Sequence, residues 1–485
     1  LNKMTIGWHF DNTYSKLSNT FKEDIKPTPV HDPELIILNK ELAKDLNLDF
    51  SKIDNKDLAK LFSGNLLPEG TSTIAQAYAG HQFGHFTMLG DGRAVLLGEH
   101  LVNGTNRFDI QFKGSGKTSF SRNGDGRAAL GPMLREYIIS EAMNGLNIPT
   151  TRSLAVVKSG EEVIRETSLP GAILTRVASS HIRVGTFQYI AARQKKDELE
   201  IFLDYVINRH YPNLKNSQNK PLELLNIVIE KQIDLIVNWM RVGFIHGVMN
   251  TDNVSISGET IDYGPCAFMD IYDPKTVFSS IDQMGRYAYC NQPVITKWNL
   301  SRFAECLIPL IDEDQNKAVQ IATEIINSFE KKYEEKWLNM MRDKLGLFGI
   351  DEKDKLLIVD LLTWMHQSKT DYTNTFCYLM NEKIKEDVSY EDEVFKNWKK
   401  RWNERLKTNN STPEKYLKLM RKVNPLIIPR NHKVEEALNK AEQGNLESFT
   451  QLVEILKKPY TKQKDIFNYQ VPSLSEEKYQ TFCGT

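Results

Sequence analysis

Glycines are concentrated in one stretch of the chain, between residues 70 and 131. Two strand-like runs, Ala94–Leu97 and Phe108–Phe112, lie among them. Glycine permits the backbone conformations that tight turns require. We therefore predict short strands joined by tight turns that are built around a ligand. The glycines in question are Gly80, Gly84, Gly90, Gly92, Gly98, Gly104, Gly114, Gly116, Gly124, Gly126 and Gly131.

The flanking segments have other periodicities. Residues 1–70 are polar, and we expect short helical stretches there, such as Pro33–Leu48. Apolar residues at helical spacing predict helices at Met133–Met143 and Leu222–Val242. Beyond about residue 295 the pattern is helical and highly charged, and its tryptophans are interpreted as core anchors. These tryptophans are Trp298, Trp337, Trp364, Trp398 and Trp402. Earlier in the chain, three more strands are predicted at Ser153–Val157, Glu162–Glu166 and Gly171–Arg176.

Charge and composition exclude several classes of protein. The 485 residues include 62 Lys and Arg against 63 Asp and Glu, a net charge of -1. This balance argues against a general nucleic-acid binder, although it permits a local basic pocket. No apolar run approaches a membrane span, and the first residues lack the pattern of a targeting peptide. The five cysteines form no CxxC pair, which disfavours a zinc site and suggests a reducing compartment, so we expect a cytoplasmic protein.

Two glycine-rich motifs need separate interpretation. Gly114–Thr118 reads GSGKT, but a Walker A motif needs a glycine at position 111, where this chain has Gln111. A phosphate-binding turn and a plain hairpin turn remain open for this stretch. The string GDGRA occurs twice, at Gly90–Ala94 and Gly124–Ala128. Two copies do not make a repeat architecture, so we interpret them as two glycine-rich turns.

The strongest chemical signal is an ordered set of residues. Lys113 ends a strand-like run, and Glu136 lies in the next predicted helix. His246 and Asn253 then have the spacing of the kinase HRDxxxxN loop, and Asp262 precedes a tyrosine and a glycine. A lysine held by a carboxylate suits phosphates, and Asn and Asp oxygens suit Mg²⁺. This order predicts a nucleotide–metal site.

One position departs from the kinase pattern. Val248 stands where a kinase has its catalytic Asp, and valine cannot accept a proton. An Asp occurs instead at Asp252, directly before Asn253. Each element also has a purely structural interpretation: the Asp-Asn pair as a turn, and His246 as a hydrogen-bonded core histidine.

Several longer strings resemble the selenoprotein O family. The resemblance extends from Phe10 to Thr485, nearly the whole chain. The strings that carry it are Tyr78–Gly84 (YAGHQFG), Leu89–Ala94, Gln111–Gly116, Arg122–Gly131, Leu174–Arg183 (LTRVASSHIR) and His246–Gly264.

The resemblance implies an α+β, protein-kinase-like fold of two lobes without the usual catalytic Asp. It implies a protein adenylyltransferase that moves AMP from ATP to Ser, Thr or Tyr hydroxyls of proteins and releases pyrophosphate. The ATP is expected to be flipped relative to kinases. The divisions expected are an N-terminal extension (1–70), an N-lobe-like region (71–180), a C-lobe-like region (181–295) and a helical C-terminal region (296–485).

The resemblance also implies roles for individual residues. Asp252 is expected to accept the acceptor's proton, and Mg²⁺ or Mn²⁺ is expected on Asn253 and Asp262. Without the resemblance, Arg176 and Arg183 would be taken as salt-bridged residues and Asp125 as a turn cap. The residues expected to bind nucleotide are Gly90, Gly92, Arg93, Lys113, Asp125, Gly126, Glu136, Arg176, Arg183 and Asp262.

Other questions stay open from the sequence. ATP and UTP both remain candidate substrates. A phosphotransferase using Asp252 and a non-catalytic nucleotide-binding scaffold are the alternative functions. The resemblance implies that some relatives pair a terminal cysteine with one near the activation segment, and here Cys483 has Cys266 and Cys290 as candidate partners. An unreactive thiol is the preferred interpretation of Cys483.

Overall fold

An antiparallel sheet forms the first part of the molecule, whose computed structural model describes residues 6–408, 411–473 and 478–482. Within these residues, eight strands join in the order β1-β3-β6-β7-β10-β9-β2, and β8 pairs with β10. Every pair in this sheet is antiparallel, and β4–β5 and β11–β12 form separate small pairs. The strands are β1 (Lys22–Asp24), β2 (Glu34–Leu38), β3 (Ile74–Gln76), β4 (Ala79–Gln82), β5 (His85–Met88), β6 (Ala94–Val102), β7 (Asn106–Lys113), β8 (Ala128–Ala129), β9 (Arg152–Ile164), β10 (Ser168–Ala178), β11 (Phe244–Ile245) and β12 (Ala267–Phe268).

Helices make up most of the remaining described chain. The strands and helices are largely segregated along the sequence, which makes the fold α+β. The helices are α1 (Lys40–Asp45), α2 (Asn55–Ser63), α3 (Leu130–Gly145), α4 (Val184–Ala192), α5 (Lys196–His210), α6 (Lys220–Val242), α7 (Gln292–Ile311), α8 (Gln315–Asn327), α9 (Phe329–Lys344), α10 (Asp354–Ser368), α11 (Tyr372–Leu379), α12 (Glu393–Lys407), α13 (Pro413–Val423), α14 (Asn431–Glu442), α15 (Glu447–Leu456) and α16 (Ile466–Gln470).

Alternation along the strands gives the sheet two different faces. Ile110 and Phe112 of β7 are buried in the core that includes α2. Because successive side chains point to opposite faces, Gln111 and Lys113 face the other way, toward the side of α3. The register places Lys113 beside Leu174 of β10 and Ala94 of β6, at the centre of the sheet. A charged residue is therefore carried to the interior by a strand whose other face is apolar.

The long helix α6 positions the loop that follows it. Asn219 caps its first turn by accepting a hydrogen bond from the Leu222 amide, and Gly243 ends it in a left-handed conformation (φ 75°). Its apolar face packs in the main core with α7 and α9. On the other side of the molecule, α14 and α15 pack on α3. The C-terminal helices thus contact the same helix that carries Glu136.

Most of the predicted elements are confirmed. The helices at Met133–Met143 and Leu222–Val242 are α3 and α6. Four of the five predicted strands fall within β6, β7, β9 or β10, and the fifth, Glu162–Glu166, overlaps β9 only as far as Ile164. Of the five tryptophans, Trp364, Trp398 and Trp402 are buried, whereas Trp298 and Trp337 are only half-buried. The core-anchor interpretation therefore holds for three of them.

Two details of the prediction were wrong. Pro33–Leu48 is not one helical stretch, because its apolar run Glu34–Leu38 pairs with β9 and only Lys40–Asp45 is helical. The two strands predicted at Ser153–Val157 and Glu162–Glu166 are one strand, β9, since its partner β10 continues past both.

No helix in the described ranges is long and apolar enough to cross a membrane. Cys483 lies outside the described residues.

Candidate functional site

A cavity of about 210 Å³ lies between the α3-facing side of the sheet and the loops that follow α6. Strand ends, the β4–β5 hairpin and two loops all contribute to its wall. The lining residues are Tyr78, Gln82, Asp91, Gly92, Arg93, Ala94, Lys113, Arg176, Arg183, Val248, Asn250, Asp252, Asn253, Asp262, Gly264 and Pro265. The cavity therefore brings together residues that are up to 187 positions apart, Tyr78 to Pro265.

Lys113 and Glu136 form a buried ion pair. The Lys113 Nζ lies 2.7 Å from Glu136 Oε2, and Arg176 Nε donates to Glu136 Oε1 at 2.9 Å. Burial alone would raise the pKa of Glu136, but the charges of Arg176 and Lys113 outweigh it and lower that pKa. Glu136 is therefore an ionised anchor that holds two cations at the cavity wall.

Asp262 is contacted by three cations. Its Oδ1 lies 2.8 Å from Arg176 Nη2 and 3.6 Å from Lys113 Nζ, and its Oδ2 lies 3.4 Å from Arg183 Nη2. Burial opposes ionisation, but these cations bring the pKa of Asp262 well below its ordinary value. The backbone of Asp262 is left-handed (φ 57°), which is uncommon for a non-glycine residue. Such backbone conformations are found disproportionately at functional sites.

Arg183 has hydrogen-bonding capacity to spare. Its guanidinium carbon lies 4.2 Å from the ring centre of Tyr78, and its Nη1 lies 3.8 Å from Asp91 Oδ1. Arg183 Nε and Nη1 are buried and have no hydrogen-bond partner in the part of the chain that the structure describes. Buried donors without partners are rare in native proteins. An anion in the cavity would satisfy them.

Asp252 is the second carboxylate with an unmet requirement. It lies in the 3₁₀ turn Thr251–Asn253, and its Oδ1 is buried and has no hydrogen-bond partner among the described residues. Burial raises the pKa of Asp252 to about 7. Gly80 of β4 packs so closely on this carboxylate that a Cβ there would clash with it. The hairpin and the turn therefore form a tight wall around a carboxyl group that can hold a proton near neutrality.

The rest of the loop after α6 has mixed roles. Val248 lines the cavity, where it offers no proton acceptor. Asn253 donates from Nδ2 to the Val248 carbonyl at 2.9 Å, which leaves its amide oxygen available. His246 is buried, bonds through Nε2 to the Ile261 carbonyl at 2.8 Å and stacks on Trp239. The structure therefore favours the interpretation of His246 as a core histidine.

The two GDGRA turns occupy different places. Gly92 and Arg93 of the first copy line the cavity, and Gly90 lies next to it, packed on the Phe120 ring. Asp125 of the second copy is exposed and binds Arg165, with Arg165 Nη1 2.8 Å from its Oδ2. Gly126 accepts a hydrogen bond from the Gly116 amide. Asp125 and Gly126 are not among the residues that line the cavity, and their nucleotide-binding role stays a prediction.

Four polar lining residues were not predicted from the sequence as site residues. Asp91 is buried, accepts a hydrogen bond from the Gln76 amide at 3.0 Å, and has its pKa raised by burial to about 6. Tyr78 lies under Arg183, and Gln82 and Asn250 complete the wall. Asp91 stands inside the first GDGRA turn, whose other members were predicted, so the motif itself carried a usable signal. Tyr78 gave none, because its contact with Arg183 spans 105 residues.

A divalent cation fits the oxygen donors of this cavity. Asp262 supplies a carboxylate and Asn253 an amide oxygen, both hard ligands of the kind that Mg²⁺ uses together with phosphates and water. The described residues contain no cluster of three or more His, Cys, Asp or Glu side chains that would hold a metal by itself. A metal here would therefore depend on phosphate oxygens as further ligands.

Comparison with known proteins gives a consistent result. The model of a family described as protein adenylyltransferase SelO matches residues 5–457. A protein nucleotidyltransferase YdiU of Pelagibacter ubique is 65% identical over 483 residues, which cover 99% of this chain and 100% of that protein. Proteins of the same name from Nitrosococcus oceani and Alcanivorax borkumensis are 57% and 55% identical over 482 residues, covering 99% of this chain and 98% and 99% of theirs.

Proposed function

Because the chain belongs to the protein adenylyltransferase SelO family, we propose that it transfers AMP from ATP to Ser, Thr or Tyr hydroxyls of proteins and releases pyrophosphate. The observation that carries this proposal is the composition of the cavity. Four cations share it with the carboxylate of Asp252, while Val248 stands where a kinase keeps its base; the cations are Arg93, Lys113, Arg176 and Arg183. A polyphosphate and a hydroxyl acceptor together match that set of groups.

We further propose that the fold is a two-lobed, protein-kinase-like one. The support is the ion pair between a central strand and the packed helix α3, Lys113 to Glu136, above a loop that carries Asn253 and Asp262. The proposed divisions are 1–70, 71–180, 181–295 and 296–485. Two strands before residue 70, β1 and β2, are edge strands of the sheet, so the proposed extension contributes to the first lobe.

The cations would bind the phosphates of ATP. Glu136 fixes Lys113 and Arg176, so little side-chain entropy is lost when phosphate arrives. Arg183 has two free donors, and a guanidinium binds phosphate oxygens in a bidentate manner. We propose that ATP lies flipped relative to kinases, with its α-phosphate toward Asp252. In that orientation the cations neutralise the charge that develops on the leaving pyrophosphate.

We propose that Asn253 and Asp262 hold Mg²⁺ or Mn²⁺. When bound, such an ion polarises phosphate oxygens and offsets their charge. Asp262 is paired with Arg176 and Arg183, so nucleotide binding would exchange those ion pairs for contacts with phosphate. These two arginines would then be released toward the nucleotide at the moment it binds.

Asp252 would accept the proton of the acceptor hydroxyl. The hydroxyl oxygen forms a bond to the α-phosphorus, the bond from that phosphorus to the bridging oxygen of pyrophosphate breaks, and the hydroxyl proton passes to Asp252. A buried carboxyl group whose pKa is raised to about 7 is well matched to take up a proton near neutral pH. We propose the cytoplasm as the compartment, and UTP as an alternative nucleotide to be compared with ATP.

Labelled ATP tests the reaction class. The protein is incubated with Mg²⁺, a protein acceptor such as casein, and ATP labelled at either the α- or the γ-phosphate. We expect acid-stable label on protein from the α-position only, and pyrophosphate in equal amount. Label from the γ-position only would overturn the proposal in favour of a phosphotransferase. Equal labelling of the acceptor by the Lys113→Ala variant and the wild type would show that the activity comes from a contaminant.

A further inference from the structure

An exposed patch of unusual composition lies at the tip of the β4–β5 hairpin. Phe86 of β5 is 46% exposed, and Met284 is 93% exposed. Arg286, two residues after Met284, stacks on the half-buried Trp298 with its guanidinium carbon 4.9 Å from the ring centre. We call three residues, Phe86, Arg286 and Trp298, the hairpin-tip patch; the His81 ring contacts both Phe86 and Trp298, and Arg286 lies over Trp298. The patch offers apolar surface and one cation side by side, which is typical of protein-binding surfaces.

The patch is fixed to the turn that carries Asp252. His81 donates its amide to Thr251 Oγ1 at 2.8 Å, and Phe83 donates its amide to Asn250 Oδ1 at 3.1 Å. Tyr287, next to Arg286, donates its hydroxyl to the same Asn250 oxygen at 2.7 Å. Through these bonds both segments of the patch, the hairpin and the stretch around residue 286, are held against residues 250–251. The patch therefore adjoins the wall of the cavity that faces the acceptor.

Charge around the patch is unbalanced. Two guanidiniums flank Trp298, those of Arg286 at 4.9 Å and Arg302 at 5.1 Å. Arg302 pairs with Glu305 at 2.6 Å, but Arg286 has no ion pair among the described residues. The nearby carboxylate of Asp282 accepts hydrogen bonds from the backbone amides of residues 286 and 287 and forms no ion pair with Arg286. A carboxylate from outside the chain would complement Arg286.

The same imbalance acts on a neighbouring histidine. The ring of His81 lies 5.1 Å from that of Trp298 and 5.3 Å from that of Phe86. Burial lowers the pKa of His81, and the charges of Arg302 and Arg286 lower it further. His81 is thus kept neutral and adds no positive charge, so Arg286 is the cation that this surface presents to a partner.

We propose that the hairpin-tip patch docks an acidic segment of the protein acceptor: a carboxylate of the segment pairs with Arg286, and an apolar side chain beside it packs on Phe86 and Trp298. This inference rests on the proposed function, since it concerns how the hydroxyl acceptor reaches Asp252. It makes Arg286 a specificity-determining residue, which selects acceptors that have Asp or Glu near the modified hydroxyl.

Peptide binding tests the inference without requiring transfer. Fluorescein-labelled peptides carry one serine, one leucine and one aspartate whose position is moved along the peptide, and a matched set carries asparagine instead. Fluorescence anisotropy is measured with the full chain, Mg²⁺ and α,β-methylene ATP. We expect at least one aspartate position to bind on the order of tenfold tighter than its asparagine match. Arg286→Gln should abolish that preference and leave Mg·ATP affinity unchanged.

Lys399→Gln is the matched control, because Lys399 also lies over an aromatic ring, Tyr378 at 4.7 Å, in the C-terminal helical region. It should bind all peptides as the wild type does. Equal binding of aspartate and asparagine peptides at every position, including no binding by either, would overturn the inference. So would weaker Mg·ATP binding by Arg286→Gln, which would assign Arg286 to the nucleotide. Failure of α-label transfer with the aspartate preference intact would instead count against the proposed function alone.

Discussion

Two groups of buried charged side chains in this molecule look alike and differ in what they leave unsatisfied. The first, the Lys113 cluster, consists of Lys113, Glu136, Arg176, Arg183 and Asp262 in the cavity wall. The second, the Asp354 cluster, consists of Arg342, Asp354 and Arg405 between α9, α10 and α12. In the second, Asp354 accepts from Arg342 Nε and Arg405 Nε, each at 2.7 Å, and from the Asp351 amide at 3.0 Å.

The remaining donors distinguish the two clusters. In the Asp354 cluster, Arg405 also donates to the Phe348 and Gly349 carbonyls, and no side-chain atom of Arg342, Asp354 or Arg405 is among the buried atoms without partners. In the Lys113 cluster, two donors of Arg183, Nε and Nη1, have no hydrogen-bond partner among the described residues and lie beside the open cavity. A closed set of charges holds helices together, whereas an open set beside a cavity is prepared for a ligand.

The largest expected effect concerns Asp252, the proposed proton acceptor, which lines the same cavity as the Lys113 cluster. Asp252→Asn preserves shape but cannot take up the acceptor's proton, so AMP transfer should fall by about 10³-fold, about 4 kcal/mol in activation free energy. Mg·ATP affinity in calorimetry should stay near the wild-type value. The measurement is the initial rate of α-label transfer to protein. Transfer at the wild-type rate would remove Asp252 from its proposed role.

The second prediction compares the stability of variants in the two clusters. Asp354→Asn leaves two buried guanidiniums without their counter-charge and should lower the free energy of unfolding in urea by about 3 kcal/mol. Asp262→Asn should lower it by less, about 1 kcal/mol, since Arg176 keeps Glu136 and the cavity admits water. At urea concentrations well below its unfolding midpoint, Asp354→Asn should bind Mg·ATP with the wild-type affinity, whereas Asp262→Asn should not bind it. Equal destabilisation by both variants would break the distinction between the clusters.

Local pattern was sufficient for the elements of the site. The strand-like run Phe108–Phe112 among the glycines predicted the strand that carries Lys113, and the apolar spacing of Met133–Met143 predicted the helix that carries Glu136. The spacing from His246 to Asn253 predicted the loop, and its departure at Val248 indicated that the usual base is missing. Each of these signals lies within one segment, where short-range geometry dictates which side chains share a face.

Contacts between segments that are distant along the chain could not be predicted from the sequence. Tyr78 lies under Arg183 only because the β4–β5 hairpin folds against the turn at residues 250–252, and no periodicity encodes that contact. The reverse error is visible at Glu34–Leu38, where a helical expectation lost to pairing with the edge of β9. Tertiary hydrogen bonding outweighs a helix preference of a few tenths of a kcal/mol per residue.

The smallest expected effect separates two identical strings. Arg93 and Arg127 occupy the same position in the two GDGRA turns, but Arg93 lines the cavity, whereas Arg127 pairs with Glu161 at 3.1 Å and bonds to the Thr28 carbonyl. Arg93→Gln should weaken Mg·ATP binding about tenfold, about 1.4 kcal/mol, and Arg127→Gln less than about twofold. Calorimetry measures the Mg·ATP affinity of both variants. The two GDGRA strings are identical, so a difference in affinity reflects where each string lies in the fold. If Arg127→Gln weakened binding as much as Arg93→Gln, the second turn would belong to the nucleotide site after all, and the role predicted for Asp125 would gain its support.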